Sequence, residues 1–230
     1  MIKAVIFDLD GTLYDEKGFV MSGFEAVAEY LASKHDLDCN KILEVLKKDF
    51  DSGLRRKNFD VLLEKVHLKE DIGELIDIYR EHTPTISLHE DAKRILPELS
   101  QKYKLGLITD GHKKTQAKKI SALGIAKHFD VITLTDTYGR TNWKPSDKPF
   151  SVTLTKLVVK PAESIYVGDD PIKDFLGANK LGVHTVRIRR GSGEYDHLNV
   201  DAQHEADSTI SSLVMLEEII DRINEKERNE

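Results

Sequence analysis

The sequence predicts an α/β fold in which a mostly parallel sheet has helices on both faces and carries a helical insertion. Two observations lead to this prediction. Short apolar runs rich in Ile and Val alternate with segments of helical periodicity, and the runs lack the strict alternation of a half-exposed sheet. In addition, one long stretch between the first two runs has helical periodicity alone.

Five apolar runs are predicted to form the strands. Alternation of strand and helix implies right-handed crossovers and a parallel sheet. Between the strands, helices are predicted over Asp91–Lys102 and Lys114–Leu123, the second of which ends before the stop signal Gly124. The predicted strands are Ala4–Phe7, Leu105–Thr109, Val131–Leu134, Ser164–Val167 and Val183–Ile188.

Residues 17–83 are predicted to form a separate, small α-helical cap domain, inserted between the first two strands. Residues 1–16 and 84–230 then form the core domain. The insertion contains no convincing strand pattern, and its apolar residues recur at helical spacing in four groups. These groups are Phe24, Val27, Ala28 and Leu31; Ile42, Val45 and Leu46; Phe59, Leu62, Leu63 and Val66; and Leu75, Ile76 and Tyr79.

Composition excludes several classes of protein. The 230 residues are 40% hydrophobic and 32% charged, as in a globular protein, and the net charge of −6 argues against a general nucleic-acid binder. A single cysteine, Cys39, excludes an intrachain disulfide. No run of about 18 apolar residues predicts a membrane span, and the apolar start Met1–Phe7 is too short for a signal peptide. We therefore expect a cytoplasmic monomer or homodimer without nucleic-acid or membrane partners.

Polar residues follow the predicted strands at the points where they end. Ligands of open parallel sheets bind at the carboxyl ends of the strands, so these residues are the candidates for a functional site. The candidates are Asp8, Asp10 and Gly11 after the first strand, Thr109 and Asp110 at the second, Lys144 in the segment after Val131–Leu134, and Asp169, Asp170 and Asp174 after the Ser164–Val167 strand.

The chemistry of these side chains predicts a phosphate site with a metal. Crowded carboxylates need a cation, and hard oxygen ligands without His or Cys favour Mg²⁺. Lys144 and Thr109 suit an anion instead. Asp8 and Asp10, two residues apart in an extended chain, point to the same side, so Asp8 can act as nucleophile and Asp10 as general acid and base. Gly11 permits a tight turn that brings backbone N–H groups near the phosphate.

Four segments in this order resemble the signature motifs of the haloacid dehalogenase-like (HAD) hydrolase superfamily. They are Asp8-Leu-Asp-Gly-Thr-Leu, Thr109, Lys144-Pro145, and Gly168-Asp169 with Asp174. The resemblance covers residues 1 to about 187. It implies a Rossmann-like core, a helical cap between the first two motifs, and Mg²⁺ held by Asp8, the Asp10 backbone carbonyl and Asp169, with Asp174 in a supporting or ligand role.

Taken together, these features predict an Mg²⁺-dependent phosphatase that hydrolyses a small phosphorylated metabolite through an aspartyl-phosphate. A sugar phosphate, phosphoglycolate and a nucleoside monophosphate are the substrates considered. A phosphomutase of the β-phosphoglucomutase type is the main alternative, because it shares the core chemistry and differs in how well the cap excludes water. A dehalogenase needs no acid such as Asp10, and a non-catalytic binding protein needs neither Asp8 nor Lys144.

Two features have alternative interpretations. Arg55 and Arg56, in the predicted cap, either bind a substrate anion or begin a solvated helix. Asp170 either belongs to the site or caps a helix that begins at Pro171.

Overall fold

The computed structural model describes residues 1–229. It contains a six-stranded sheet whose neighbouring strands are all parallel, in the order β3-β2-β1-β4-β5-β6. The α/β fold and the five predicted strands are confirmed. The strands are β1 (Ala4–Phe7), β2 (Lys104–Thr109), β3 (Val131–Leu134), β4 (Ser164–Gly168), β5 (His184–Ile188) and β6 (Ser208–Ile210).

Nine α-helices accompany the sheet within the described residues. The two helices predicted between strands are present as α5 and α6. Gly124 ends α6, as predicted, and it adopts the left-handed conformation. The helices are α1 (Glu16–His35), α2 (Cys39–Asp51), α3 (Asn58–Lys65), α4 (Ile72–Glu81), α5 (Glu90–Lys102), α6 (Lys113–Leu123), α7 (Lys148–Leu157), α8 (Leu176–Leu181) and α9 (Leu216–Asn229).

The centre of the sheet is buried on both faces. Ala4 and Ile6 of β1 pack with apolar side chains of α7 and α8, among them Phe150 and Ala178. Successive strand residues point to opposite faces, and the intervening residues of β1 are fully buried as well. Continuous apolar runs are the pattern that such a doubly covered sheet requires.

The chain forms two compact units. One, the core unit, comprises Met1–Asp15 and the chain from Ser87 onward, and the other, the helical unit, is Glu16–Ile86. Helices α1–α4 make up the helical unit, and each contains one of the four predicted apolar groups, except that Val66 of the third group lies just after α3. Their apolar faces meet in one cluster that includes Phe24, Leu31 and Leu46.

Two elements of the core unit escape the sequence prediction, and one begins later than expected. Strand β6 is only three residues long, and α7 is rich in residues with low helix propensity. The α-helix expected at Pro171 begins at Leu176, because residues 171–175 form turns and bends. Among the described residues, no helix is both long and apolar enough to cross a membrane.

Candidate active site

Asp8 lies at the centre of the carboxyl edge of the sheet. It follows β1 directly, and its backbone N–H donates to the carbonyl of Val167 on β4 at 2.8 Å. Strand β1 lies between β2 and β4, so the polar residues at the ends of these three strands are neighbours. The sequence places its candidate residues at these strand ends.

A buried lysine binds the Asp8 carboxylate. The Lys144 ammonium donates to Asp8 Oδ1 at 2.5 Å, to Asp174 Oδ1 at 2.7 Å and to the Tyr166 hydroxyl at 2.9 Å. The Lys144 side chain is 0% exposed. Three acceptors use all three ammonium protons, so this lysine is fixed in one position.

Three buried carboxylates form a possible cation site. Asp8, Asp169 and Asp174 each offer one oxygen, and these oxygens lie within 4.8 Å of one another. The Thr12 hydroxyl donates to Asp169 Oδ1 at 3.2 Å and orients that carboxylate. Asp174 accepts the most hydrogen bonds of the three carboxylates, because its Oδ2 also accepts from the Asp170 backbone N–H at 3.0 Å.

Burial and mutual repulsion change the pKa values of these carboxyl groups. Burial raises the pKa of Asp8 to about 7, against the opposing charge of Lys144. Burial, with the charges of Asp174 and Asp8, raises the pKa of Asp169 well above its usual range. Burial acts in the same direction on Asp174, but the charges of Lys144 and Lys173, together with the hydrogen bonds from Lys144 and the Asp170 backbone, lower the Asp174 pKa. A divalent cation beside Asp8 and Asp169 would favour their ionised forms.

One oxygen of Asp8 is left without a partner in the described part of the chain, and the chemistry of the whole carboxylate cluster suits a cation. Asp8 Oδ2 is buried and has no hydrogen-bond partner among the described residues, although buried polar atoms are nearly always paired. Carboxylate oxygens without His or Cys are a donor set that suits Mg²⁺. The residues present therefore fit a magnesium ion.

Asp10 has a separate set of partners. Its Oδ1 accepts from the Lys119 ammonium at 2.6 Å and from the Tyr14 hydroxyl, and its Oδ2 accepts from Gln116 Nε2 at 2.7 Å. Burial alone would raise the pKa of Asp10, but the Lys119 charge and these hydrogen bonds bring it below its ordinary value. Asp10 is thus held as a carboxylate, apart from the Lys144 cluster.

Thr109 and Asp110 also lie at this edge. The Thr109 hydroxyl accepts from Gln116 Nε2, and the Thr109 carbonyl accepts from the Thr135 hydroxyl at 3.2 Å. Asp110 Oδ1 accepts from the backbone N–H of Lys144 at 3.2 Å. Asp110 thereby helps to hold the backbone that carries the buried lysine.

Asp170 caps a turn rather than the start of an α-helix. Its Oδ1 accepts from the Ile172 backbone N–H at 2.9 Å, and its Oδ2 lies 3.6 Å from the Lys173 ammonium. The helix-cap interpretation is therefore wrong, because α8 begins at Leu176.

Arg55 and Arg56 belong to the helical unit and are exposed. The Arg55 guanidinium lies over the Phe50 ring at 4.0 Å and donates to the carbonyls of Phe50 at 2.6 Å and Leu54 at 3.3 Å. Neither arginine begins a helix, since α3 starts at Asn58. Their proposed contact with substrate stays a prediction.

Sequence reasoning missed four side chains that contact Asp10 or Lys144. Polar residues on a helix usually face water, so Gln116 and Lys119 give no signal in a hydrophobic pattern. Nothing in the local sequence separates this pair from the other polar residues of the same helix. The missed side chains are Tyr14, Gln116, Lys119 and Tyr166.

Gly11 is required by the close approach of Asp169. Its φ is +75°, and a Cβ built there would lie 2.1 Å from Asp169 Oδ2. We expect Gly11→Ala to abolish activity and to lower the free energy of unfolding by more than the roughly 1–2 kcal/mol typical of a left-handed alanine. Urea unfolding and phosphate release would measure both effects.

Gly124→Ala is the matched control for this substitution. Gly124 has a similar φ of +66°, but nothing lies within 4 Å of its added Cβ. The Gly124→Ala variant should lower the free energy of unfolding only by the cost of a left-handed alanine, and it should keep its activity. Equal stability losses in the two variants, with activity retained in Gly11→Ala, would contradict the role given to this close approach.

The fold and the site together define a class of protein, a Rossmann-like α/β enzyme with an aspartate and lysine cluster at the carboxyl edge of its sheet. Residues 5–188 match the family model described as haloacid dehalogenase-like hydrolase. The chain belongs to this family, as its motifs predicted, and it is an enzyme.

Individual relatives match this chain along most of their own length and of its length. A glyceraldehyde 3-phosphate phosphatase from Methanocaldococcus jannaschii is 33% identical over 228 residues, which cover 96% of this chain and 97% of the relative. An N-acylneuraminate-9-phosphatase from Rattus norvegicus is 27% identical over 211 residues, or 84% of each chain. A HAD phosphatase from Thermococcus onnurineus, known from its crystal structure, is 26% identical in sequence. The two structures match with a TM-score of 0.62 over 95% of this chain and 98% of that one. The chain thus resembles phosphatases along almost its whole length.

Proposed function

We propose that this enzyme is a magnesium-dependent phosphatase in which Asp8 attacks a small phosphomonoester and is transiently phosphorylated. One observation carries the proposal. Asp8 Oδ1 is bound by Lys144, while Asp8 Oδ2 is buried and has no partner among residues 1–229. A fixed carboxylate with one oxygen left available is suited to nucleophilic attack.

In the first step, Asp8 Oδ2 bonds to phosphorus as the bond from phosphorus to the ester oxygen breaks. The leaving alkoxide takes a proton from Asp10. Lys144 holds the nucleophile in place, and its charge offsets that of the phosphoryl group, while the Thr109 hydroxyl and backbone N–H groups near Gly11 can donate to phosphoryl oxygens. Thr109 and Lys144 are the proposed phosphate ligands, and Asp110 acts by holding the Lys144 backbone.

In the second step, a water oxygen bonds to phosphorus, the bond from phosphorus to Asp8 breaks, and Asp10 accepts a proton from the water. The contacts of Asp10 support this step in particular. Its lowered pKa favours the carboxylate, which is the form that accepts a proton. Donation in the first step requires protonated Asp10, which the contact with Lys119 opposes.

The carboxylate cluster supports a magnesium ion as the cofactor. When bound, Mg²⁺ would neutralise charge on the phosphoryl oxygens and help to orient the ester. Asp8 and Asp169 are the side chains proposed to hold it, together with the backbone carbonyl of Asp10. Asp174 already accepts hydrogen bonds at both oxygens, so we propose that it mainly positions Lys144.

Among the substrates considered, the relatives favour a phosphorylated carbohydrate. The two named relatives act, by their names, on glyceraldehyde 3-phosphate and on an N-acylneuraminate 9-phosphate. We propose that the substrate is a small sugar phosphate of this kind. The helical unit, including Arg55 and Arg56, is proposed to act as a cap that selects the part of the substrate beyond the phosphate.

Metal removal tests the cofactor directly. We expect EDTA to reduce phosphate release from p-nitrophenyl phosphate to background and excess Mg²⁺ to restore it. Burial raises the pKa of both Asp8 and Asp169, so their protonated forms are favoured without a cation, and protonated Asp8 cannot attack phosphorus. Asp169→Asn should need a Mg²⁺ concentration about ten times higher or more for half-maximal activity. Full activity in EDTA would refute the magnesium requirement.

A screen of phosphorylated metabolites at fixed Mg²⁺ tests the reaction class and the substrate. Comparison of kcat/KM values across sugar phosphates, phosphoglycolate and nucleoside monophosphates would rank the substrate classes. Free phosphate is the expected product. Isomerisation of a sugar phosphate without phosphate release would instead identify a mutase.

A further inference from the structure

Helix α6 turns a polar face inward. Gln116 is 1% exposed and Lys119 is 4% exposed, and they lie beside the apolar Ile120. Lysine is almost never fully buried unless a partner compensates its charge. The identity of that partner therefore indicates what this face does.

The partner is Asp10. The Lys119 ammonium and Gln116 Nε2 each donate to a different oxygen of this carboxylate, at 2.6 and 2.7 Å, and the Tyr14 hydroxyl donates to the first oxygen as well. Donors from two separate segments of the chain thus hold both oxygens. This arrangement fixes the orientation of the carboxylate, whereas a single contact would leave it free to rotate.

Gln116 also connects Asp10 to the phosphate side of the site. The same Nε2 donates to the Thr109 hydroxyl, so one amide joins a proposed proton-transfer group to a proposed phosphate ligand. The space for this amide depends on Gly111, where an added Cβ would lie 3.1 Å from Gln116 Cδ. The backbone after β2 is therefore shaped around Gln116.

We propose that Gln116 and Lys119 are positioning residues that hold Asp10 as the proton acceptor of the second step, the hydrolysis of phosphorylated Asp8. The inference rests on the proposed function. No bond to Gln116 or Lys119 forms or breaks: the water oxygen bonds to phosphorus, its proton passes to Asp10, and the Asp8 carboxylate leaves. The two residues act on this step through the geometry of Asp10.

Steady-state kinetics with p-nitrophenyl phosphate isolate this step. Nitrophenolate leaves without needing a proton, so formation of the phosphoenzyme does not require Asp10, and kcat/KM reports that formation. We expect Lys119→Met to lower kcat about 10- to 100-fold, within the range of general-base effects. The value of kcat/KM should stay within about threefold of the wild-type value, so KM should fall together with kcat. Acid quenching should show the phosphoenzyme accumulating.

Two further variants keep the test decisive. Gln116→Met removes the amide without removing a charge and should show the same fall of kcat and KM together. In an Asp10→Asn background, Lys119→Met should change kcat less than about twofold, because residues that act as a unit are not additive. Lys156→Met, at an exposed position on α7, is the matched control and should match the wild type.

The possible failures are distinguishable. If Lys119→Met and Gln116→Met lowered kcat and kcat/KM equally, with KM unchanged, the two residues would have only a structural role and the inference would be wrong. A further large loss of kcat in the Asp10→Asn background would also overturn it. A wild-type enzyme that hydrolysed no phosphomonoester would overturn the proposed function, and this inference with it.

Discussion

Asp8→Asn is expected to lower the kcat of phosphate release by about 10⁴-fold or more, as the loss of a catalytic nucleophile does in other enzymes. An amide in this position cannot bond to phosphorus to give a stable acyl phosphate. No phosphoenzyme should therefore be trapped by acid quenching, although the phosphate ligands are intact. Rapid-quench experiments with ³²P-labelled substrate would measure both quantities.

The same substitution should hardly change stability. Asparagine is nearly isosteric, its amide oxygen can still accept from Lys144, and Lys144 keeps Asp174 as a charged partner at 2.7 Å. We expect the free energy of unfolding to stay within about 1 kcal/mol of the wild type. Folded, inactive protein would identify a chemical role for Asp8. Wild-type turnover by Asp8→Asn would rule out the aspartyl-phosphate mechanism.

Much of the core unit could be predicted because a doubly covered parallel sheet leaves a simple trace in the sequence. The run of β1 is apolar at every position, that of β4 is apolar or aromatic from Ile165 to Val167, and both are followed at once or after one glycine by carboxylates. The abrupt change is physical: strand residues are enclosed by helices, while the residues after them lie at the edge where ligands bind. Asp8 and Asp169 could thus be located from the sequence alone.

The partners of these residues could not be found in the same way. Lys119 lies among three other lysines between positions 113 and 118, and nothing in composition separates the one that is buried from the others. Its burial depends on where α6 packs relative to Asp10, which is a tertiary property. Likewise, Tyr166 is indistinguishable in the sequence from a core aromatic residue, yet its hydroxyl contacts both Lys144 and Asp174.

Removal of the buried lysine should have the largest effect on stability. Lys144 is the direct partner of Asp8 and Asp174, and all three side chains are almost completely buried. Lys144→Met shortens the side chain by only one atom but leaves the two carboxylates without this compensating charge. We expect the free energy of unfolding to fall by about 3–5 kcal/mol, which is the usual cost of removing one partner of a buried ion pair. Urea unfolding without added metal would measure it.

A second variant separates charge balance from catalysis. Adding Asp174→Asn to Lys144→Met removes one of the two uncompensated carboxylates, so the double variant should be more stable than Lys144→Met alone. It should still be inactive, because Asp8 has lost the ammonium that holds it and offsets phosphoryl charge. If the double variant were less stable by the sum of two separate losses, the lysine would act through packing alone. Recovery of both stability and activity would mean that Lys144 only balances the charge of Asp174, and its proposed role at the phosphate would have to be abandoned.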